Sequence, residues 1–226
     1  DIDYCISLDF TIDMSKLTAR ELMANILKDK LNVETLIIGY DHRFGHNRSE
    51  DFEDYLRYGD EIGMQVIQAQ ASNPQEHVSS SRIRRLLGNG DVEKAARLLT
   101  YNYTISGKIV EGFKVGRTIG FPTANIQIWE DFKVIPAFGV YAVHVYVEEG
   151  KYGGMLYIGK RPTLHNSDSI SLEVNIFDFD ADLYNKSLTV EFLKFVRIDQ
   201  KFSGLEELKQ QINDDKLSVQ KILQKM

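Results

Sequence analysis

Two spacings of apolar residues divide the chain near residue 100. In the first part, helical spacing alternates with short apolar runs. Thr18-Ala19-Arg20-Glu21 reads as a capping box, and Leu22, Met23, Ile26, Leu27 and Leu31 then mark one face of a helix. Thr35–Gly39 has the pattern of a short buried strand. After a polar loop, Ser49 is placed to cap a helix carrying Phe52, Tyr55, Leu56 and Ile62, with Gly63 ending it. Met64–Ala69 reads as a second strand. Ser79-Ser80-Ser81 opens a helix through Leu87, and Asp91 is placed to cap a last one reaching Leu99. Helix alternating with strand on this scale predicts a parallel, Rossmann-like α/β sheet.

From Tyr103 the period becomes two. Strands are predicted over 103–110, 123–129, 139–147, 152–159, 169–177 and 188–198, with a hairpin turn at Glu148-Glu149-Gly150-Lys151. Six strands joined by short connections predict a closed antiparallel barrel. Ser203-Gly204-Leu205-Glu206 reads as a further capping box. Leu205, Leu208 and Ile212 mark a covering helix, and a second short helix is expected from Ser218. The expected organisation is a partial α/β domain in 1–100 and a β-barrel with C-terminal helices in 101–226.

Composition narrows the function. The 226 residues are 43% hydrophobic and 27% charged, an ordinary balance for a soluble globular protein. The one cysteine, Cys5, excludes an intrachain disulfide and points to a reducing, cytoplasmic setting. No apolar run has the length of a membrane span, and no signal peptide is visible. The sequence opens on Asp1 without a Met, so a preceding segment is expected. Residues 1–100 hold 12 Lys and Arg against 17 Asp and Glu, and residues 101–226 hold 15 against 16. Neither half has the basic excess that nucleic-acid binding requires. No membrane association and no obligatory protein partner are expected.

The densest chemistry lies in 107–125, GKIVEGFKVGRTIGFPTAN. Glycines at 107, 112, 116 and 120 let backbone N–H groups converge on anionic oxygens, and Lys108, Lys114 and Arg117 suit phosphate. Thr123 and Asn125 share one side of an extended segment and offer two neutral oxygens suited to Mg²⁺. Gly112–Thr118 is one residue short of a Walker A loop, has Arg for its Lys, and precedes a strand instead of a helix. As pattern alone, such a stretch is more often a simple turn.

The whole stretch, with its Phe-Pro-Thr-Ala-Asn, closely resembles the riboflavin kinase family, and the resemblance runs from Tyr103 to the C-terminus. It implies phosphate contacts from Gly112, Gly116, Arg117, Gly120 and Thr123, and metal contacts from Thr123 and Asn125. Ile170–Ile176 alternates, with Ser171, Glu173 and Asn175 on one face. An acidic residue there is most often simply solvated, but a kinase needs a carboxylate to receive the attacking hydroxyl's proton. Glu173 matches the family's Leu-Glu-Val-His base, with Asn175 replacing the His. Family-like segments at Gly159–Thr163 and Val196–Phe202 imply flavin contacts from Arg161 and Arg197, the first in a loop closing over the flavin.

In the first part, Asp41-His42-Arg43-Phe44-Gly45 sits at a strand's C-terminal end, where open α/β sheets bind ligands. Ser79–Arg84 puts hydroxyls and cations at a helix N-terminus. His42 and His46 are rejected as a metal pair, for want of a helix and a third ligand. The two segments resemble the FMN adenylyltransferase domain of bacterial FAD synthetases, a nucleotidyltransferase fold. This implies nucleotide contacts from Asp41, Arg43, Phe44, Ser79, Ser80 and Arg84. Residues 1–100 contain no His-x-Gly-His, the family's ATP-phosphate motif, so the resemblance covers the second half of that domain.

The expected activity is ATP- and Mg²⁺-dependent phosphorylation of riboflavin to FMN, with conversion of FMN to FAD expected only of a longer parent chain. The rival from another class is a flavin-binding or sensing barrel without catalysis, which would need neither Asn125 nor Glu173.

Overall fold

The structure is a computed structural model that describes residues 2–70, 78–112, 116, 119–130, 132–160, 170–181 and 183–225. They form two compact units, Asp1–His77 and Val78–Met226.

In the first unit, α1 (Ile12–Ser15) is capped by Thr11. The predicted Thr18 capping box is present: Thr18 and Glu21 exchange bonds at 2.9 and 3.2 Å. It opens α2 (Ala19–Glu21), which continues as π-helical turns over Leu22–Lys28. β1 (Thr35–Gly39) pairs in parallel with β2 (Gln65–Ala69), with α3 (Phe52–Ile62) between them in sequence. The cap of α3 is Asp51 instead of Ser49. The Asp51 carboxylate accepts from the Glu53 and Asp54 N–H groups, and Asp54 accepts from the Asp51 N–H. Ser49 donates to Glu50 instead. Gly63 ends α3 at φ 65°. Ala19, Met23, Ile38, Tyr55 and Met64 are the buried centre of this unit.

The second unit opens with α4 (Ser80–Gly88), capped by Ser79, whose Oγ accepts from the Arg82 N–H. α5 (Val92–Leu99) follows. Asp91 holds the cap position but makes no capping bond; its carboxylate takes the Lys94 ammonium. Then come β3 (Thr104–Val110), β4 (Ala124–Ile128), β5 (Gly139–Val147), β6 (Gly150–Lys160), β7 (Ile170–Ile176) and β8 (Ser187–Ile198). They close into a barrel in the order β3-β4-β7-β6-β5-β8, and every pair is antiparallel. Alternate residues fill the interior, among them Ile109, Ile126, Tyr141, Leu156, Val174 and Phe192. Leu87, Val92 and Ala95 of α4 and α5 join the same buried cluster. The compact-unit division therefore falls at His77–Val78, ahead of the composition change near Thr100.

The C-terminal helix α6 (Leu205–Leu223) is one continuous element of 19 residues where two short helices were expected. Ser218 does not cap: its hydroxyl donates back to the Asp214 carbonyl inside the helix. The expected capping box at its start is also different. Gly204 is the cap residue, and Ser203 donates to Glu207, not Glu206. Leu205 is exposed, while Ile212, Val219, Ile222 and Leu223 pack on a second apolar cluster outside the barrel with Val140, Ala142, Met155 and Phe177. β5 is therefore covered on both faces, by the interior and by α6.

Candidate active site

β4 pairs with β7 at only two positions, Ala124↔Val174 and Asn125↔Glu173. β7 pairs with β6 on its other side, where Tyr157 faces Glu173. Asn125, Glu173 and Tyr157 thus form one cross-strand row on the outer wall of the barrel. The Ser171–Asn175 face expected to be polar is also largely covered: Ser171 is 8% and Asn175 7% exposed. Three bonds tie this face to the Pro122–Thr123 segment and to itself. Thr123 Oγ1 donates to Glu173 Oε2 at 3.2 Å. Ser171 Oγ donates to Glu173 Oε1 at 3.0 Å. Asn175 Nδ2 donates to the Pro122 carbonyl at 2.6 Å. Both carboxylate oxygens of Glu173 are oriented by neutral hydroxyls.

Two glycines of the preceding loop are fixed by close approach. A Cβ at Gly112 would lie 2.0 Å from Asn125 Nδ2, so a side chain there would displace that amide. A Cβ at Gly116 would lie 2.2 Å from the Phe121 carbonyl and 3.4 Å from Thr123 Oγ1. The Phe121 N–H donates to the Gly116 carbonyl at 2.7 Å, folding the loop back toward Thr123. Gly120 turns it at φ 88°. Lys114, Arg117 and Arg161 lie outside the described residues, as do Pro162 and Thr163 of the segment expected to cover the flavin, while Gly159 and Lys160 of that segment belong to β6.

Two cavities meet here. One, of about 290 Å³, lies between the outer wall and α6 and is lined by Gly116, Thr123, Tyr157, Glu173, Arg197 and Ile212, among others. The other, of about 510 Å³, is lined by Ile109, Thr123, Phe179, Asp180 and Tyr184, among others. Thr123 belongs to both. The Tyr157 phenol is pushed up to about 12, first by burial and then by the Asp199 carboxylate, to which its O–H donates at 3.1 Å. Arg197 lines the first cavity, but its fork is engaged by Asp215 of α6: Nε lies 2.9 and 3.0 Å from the two carboxylate oxygens, and Nη2 lies 2.8 Å from Oδ2. Gln211 donates to the same carboxylate, which is 3% exposed. Arg197 therefore anchors the helix that walls the cavity.

In the first unit, Asp41 and Arg43 line a separate cavity of about 450 Å³ beyond the end of β1, with Gly39, Asp51 and Gln68. Phe44 packs instead: its ring stacks on Tyr55 at 4.5 Å. His46 Nδ1 lies 3.1 Å from the Ser15 carbonyl. Ser79, Ser80 and Arg84 belong to the second unit. Among the described residues no group of three His, Cys, Asp or Glu is placed to hold a metal.

The roles of Tyr157, Ser171 and Asp215 were not legible in the sequence. Tyr157 and Asp215 are placed by strand register and by α6, which residue spacing does not reveal; spacing put Ser171 on the face of Glu173 but not its hydroxyl on the carboxylate.

Comparison with known proteins agrees with both parts. The riboflavin kinase family matches residues 99–223, and the FAD synthetase family matches residues 1–82. A bifunctional riboflavin kinase/FMN adenylyltransferase of Listeria monocytogenes is 35% identical over 95% of this chain and 68% of its own length. The protein of the same name from Escherichia coli K12 is 36% identical over 96% of this chain and 69% of its own. A solved structure described as a macrolide-efflux protein of Streptococcus pneumoniae matches with TM-score 0.84 and 33% identity, covering 94% of this chain and 68% of that one. Among the described residues, no helix is long and apolar enough to cross a membrane. The chain belongs to the bifunctional riboflavin kinase/FMN adenylyltransferase family, with its riboflavin kinase part in residues 99–223.

Proposed function

We infer that this chain transfers the γ-phosphoryl group of ATP to the 5′-hydroxyl of riboflavin, giving FMN and ADP, at the Thr123–Glu173 junction. The observation that carries the reading is that Thr123 lines two cavities and donates to Glu173 beside the first. A phosphoryl transfer needs donor and acceptor on opposite sides of one point. We assign the flavin to the cavity under α6 and the nucleotide to the cavity at Ile109 and Tyr184.

Glu173 orients the attacking hydroxyl and accepts its proton. The bonds from Ser171 and Thr123 hold the carboxylate in one orientation before substrate arrives. The loop glycines 112, 116 and 120, with Arg117, cradle the phosphates. The oxygens of Thr123 and Asn125 are hard donors, and the bare backbone at Gly112 is what lets the Asn125 amide sit where it does, so this donor set fits Mg²⁺. When bound, Mg²⁺ neutralises charge on the transferred group. Arg161 is retained as a flavin contact; Arg197 acts on the flavin side through its hold on α6. Asp41, Arg43, Phe44, Ser79, Ser80 and Arg84 are proposed to serve adenylyl transfer in the longer parent, Phe44 through its packing. The domain boundary at residues 100 and 101 remains our proposal for where the kinase sequence begins.

The test is product analysis. The purified chain is incubated with riboflavin, ATP and Mg²⁺, and flavins are resolved by chromatography. FMN should accumulate without FAD. Riboflavin bound but unchanged would favour a binding barrel, and FAD formation would place adenylyl transfer within this chain.

A further inference from the structure

We propose that Asn175 is a positioning residue for phosphoryl transfer: its side-chain amide fixes the Pro122–Thr123 turn so that Thr123 reaches Glu173. The inference rests on the reading of Thr123 and Glu173 given above. The β4–β7 ladder stops at Ala124↔Val174. One step further, Thr123 would face Asn175 and Pro122 would face Ile176. Pro122 has no N–H, so the backbone cannot continue the ladder there. The segment carrying Thr123 would then leave β7 without a backbone tether. The Asn175 amide supplies a side-chain one, donating to the Pro122 carbonyl at 2.6 Å.

The geometry triangulates the site. Glu173 and Asn175 are two residues apart on the same face of one strand. Glu173 accepts from Thr123 at 3.2 Å, while Asn175 holds the residue before it. Both ends of the Thr123–Glu173 contact are therefore set by β7. Asn175 is 7% exposed and lies in the wall of the cavity under α6. An amide suits this position because it donates without carrying charge. A carboxylate of the same shape would lose the donor, face a carbonyl oxygen and place a negative charge beside Glu173. An imidazole could donate but would titrate near neutrality.

The test compares Asn175→Ala, Asn175→Asp and Asn175→His with Glu173→Gln, all in the 226-residue chain. It reads kcat, the KM values for riboflavin and ATP, pH profiles, ATP binding by calorimetry and thermal midpoints. Misplacing a reacting group by about 1 Å costs about a hundredfold in rate. Asn175→Ala and Asn175→Asp should lose about that much in kcat and weaken ATP binding at temperatures well below their thermal midpoints, where the chain is fully folded. Asn175→His should recover most of the rate, because an imidazole N–H restores a donor to the Pro122 carbonyl. Parental kcat in the Ala and Asp variants, with Glu173→Gln inactive, would overturn the role of Asn175 alone. Activity lost only in step with thermal stability would make Asn175 a structural bond and overturn it too. Parental kcat in Glu173→Gln would remove the underlying assignment, and this inference with it.

Discussion

Glu173 sits between two hydroxyl donors on the wall of a cavity, with Asn125 and Tyr157 beside it in the same cross-strand row. Glu173→Gln keeps its volume and one acceptor oxygen but cannot take a proton. General-base loss typically costs ~10²–10⁴ in rate, about 3–5 kcal/mol of transition-state stabilisation. Flavin affinity, read by fluorescence quenching, should change far less, because the loss belongs to the transition state. Near-parental kcat would return Glu173 to a structural role. At this scale much was legible. Thr123, Asn125 and Glu173 were legible as candidates through the likeness of their segments to riboflavin kinases, since by pattern alone a turn and a solvated carboxylate are the commoner readings. The roles of Ser171 and Tyr157 were not, since a hydroxyl or phenol in a strand reads the same whether it orients a base or faces solvent.

Among the elements, α6 connects packing to the site. It buries Ile212, Val219 and Leu223 on the outer cluster and is pinned by the bidentate Arg197–Asp215 pair. Removing one partner of such a buried pair typically costs about 3–5 kcal/mol, because the other charge is left uncompensated. Asp215→Ala should lower the urea-unfolding free energy of the second unit by that order and raise the riboflavin KM. An Arg197→Met, Asp215→Leu double variant should recover most of the stability. Stability unchanged in Asp215→Ala would show that the pair does not hold the helix. β8 carries a second polar centre, Glu191. Its partial burial acts to raise the carboxyl, but hydrogen bonds from Asn102, Tyr146 and His144 outweigh this and hold it below the ordinary value of 4.5. The sign follows from the lowered folded value. The contribution is complete above the unfolded carboxylate range and is lost as pH falls through the folded one. Glu191→Gln should therefore flatten the fall in urea midpoint below about pH 4.5. An unaltered acid slope would speak against it. Strand positions were legible because period two is a strong signal. The ion pair was not: its partners lie 18 residues apart on different elements. Nor was the continuity of α6, because Ser218 looks like a cap until its hydroxyl is seen bonding back to Asp214.

At the scale of the whole molecule, composition drew a line near Thr100, where helical spacing gives way to strands. Packing draws it at His77–Val78, because Leu87, Val92 and Ala95 join the barrel's buried cluster and the Ala137 N–H donates to the Leu87 carbonyl at 3.0 Å. Sequence periodicity reports what an element is, not what it packs against, so this difference was not legible. A fragment of residues 78–226 should unfold in one transition and retain kinase activity. One of residues 101–226 strips Leu87, Val92 and Ala95 from the cluster, and Leu87 and Val92 are each worth roughly 1.5–3 kcal/mol. It should be markedly less stable or insoluble; equal urea midpoints for the two fragments would show that α4 and α5 are dispensable. If the intact chain is a phosphotransferase acting on riboflavin, the γ-phosphoryl group of ATP must end on the flavin. The most direct measurement follows the label from γ-³²P-ATP during incubation with riboflavin and Mg²⁺. Label should appear on the flavin 5′-oxygen, with one FMN formed per ADP and transfer slower by ~10²–10⁴ in Glu173→Gln. Label released as inorganic phosphate while riboflavin stays unmodified would contradict it.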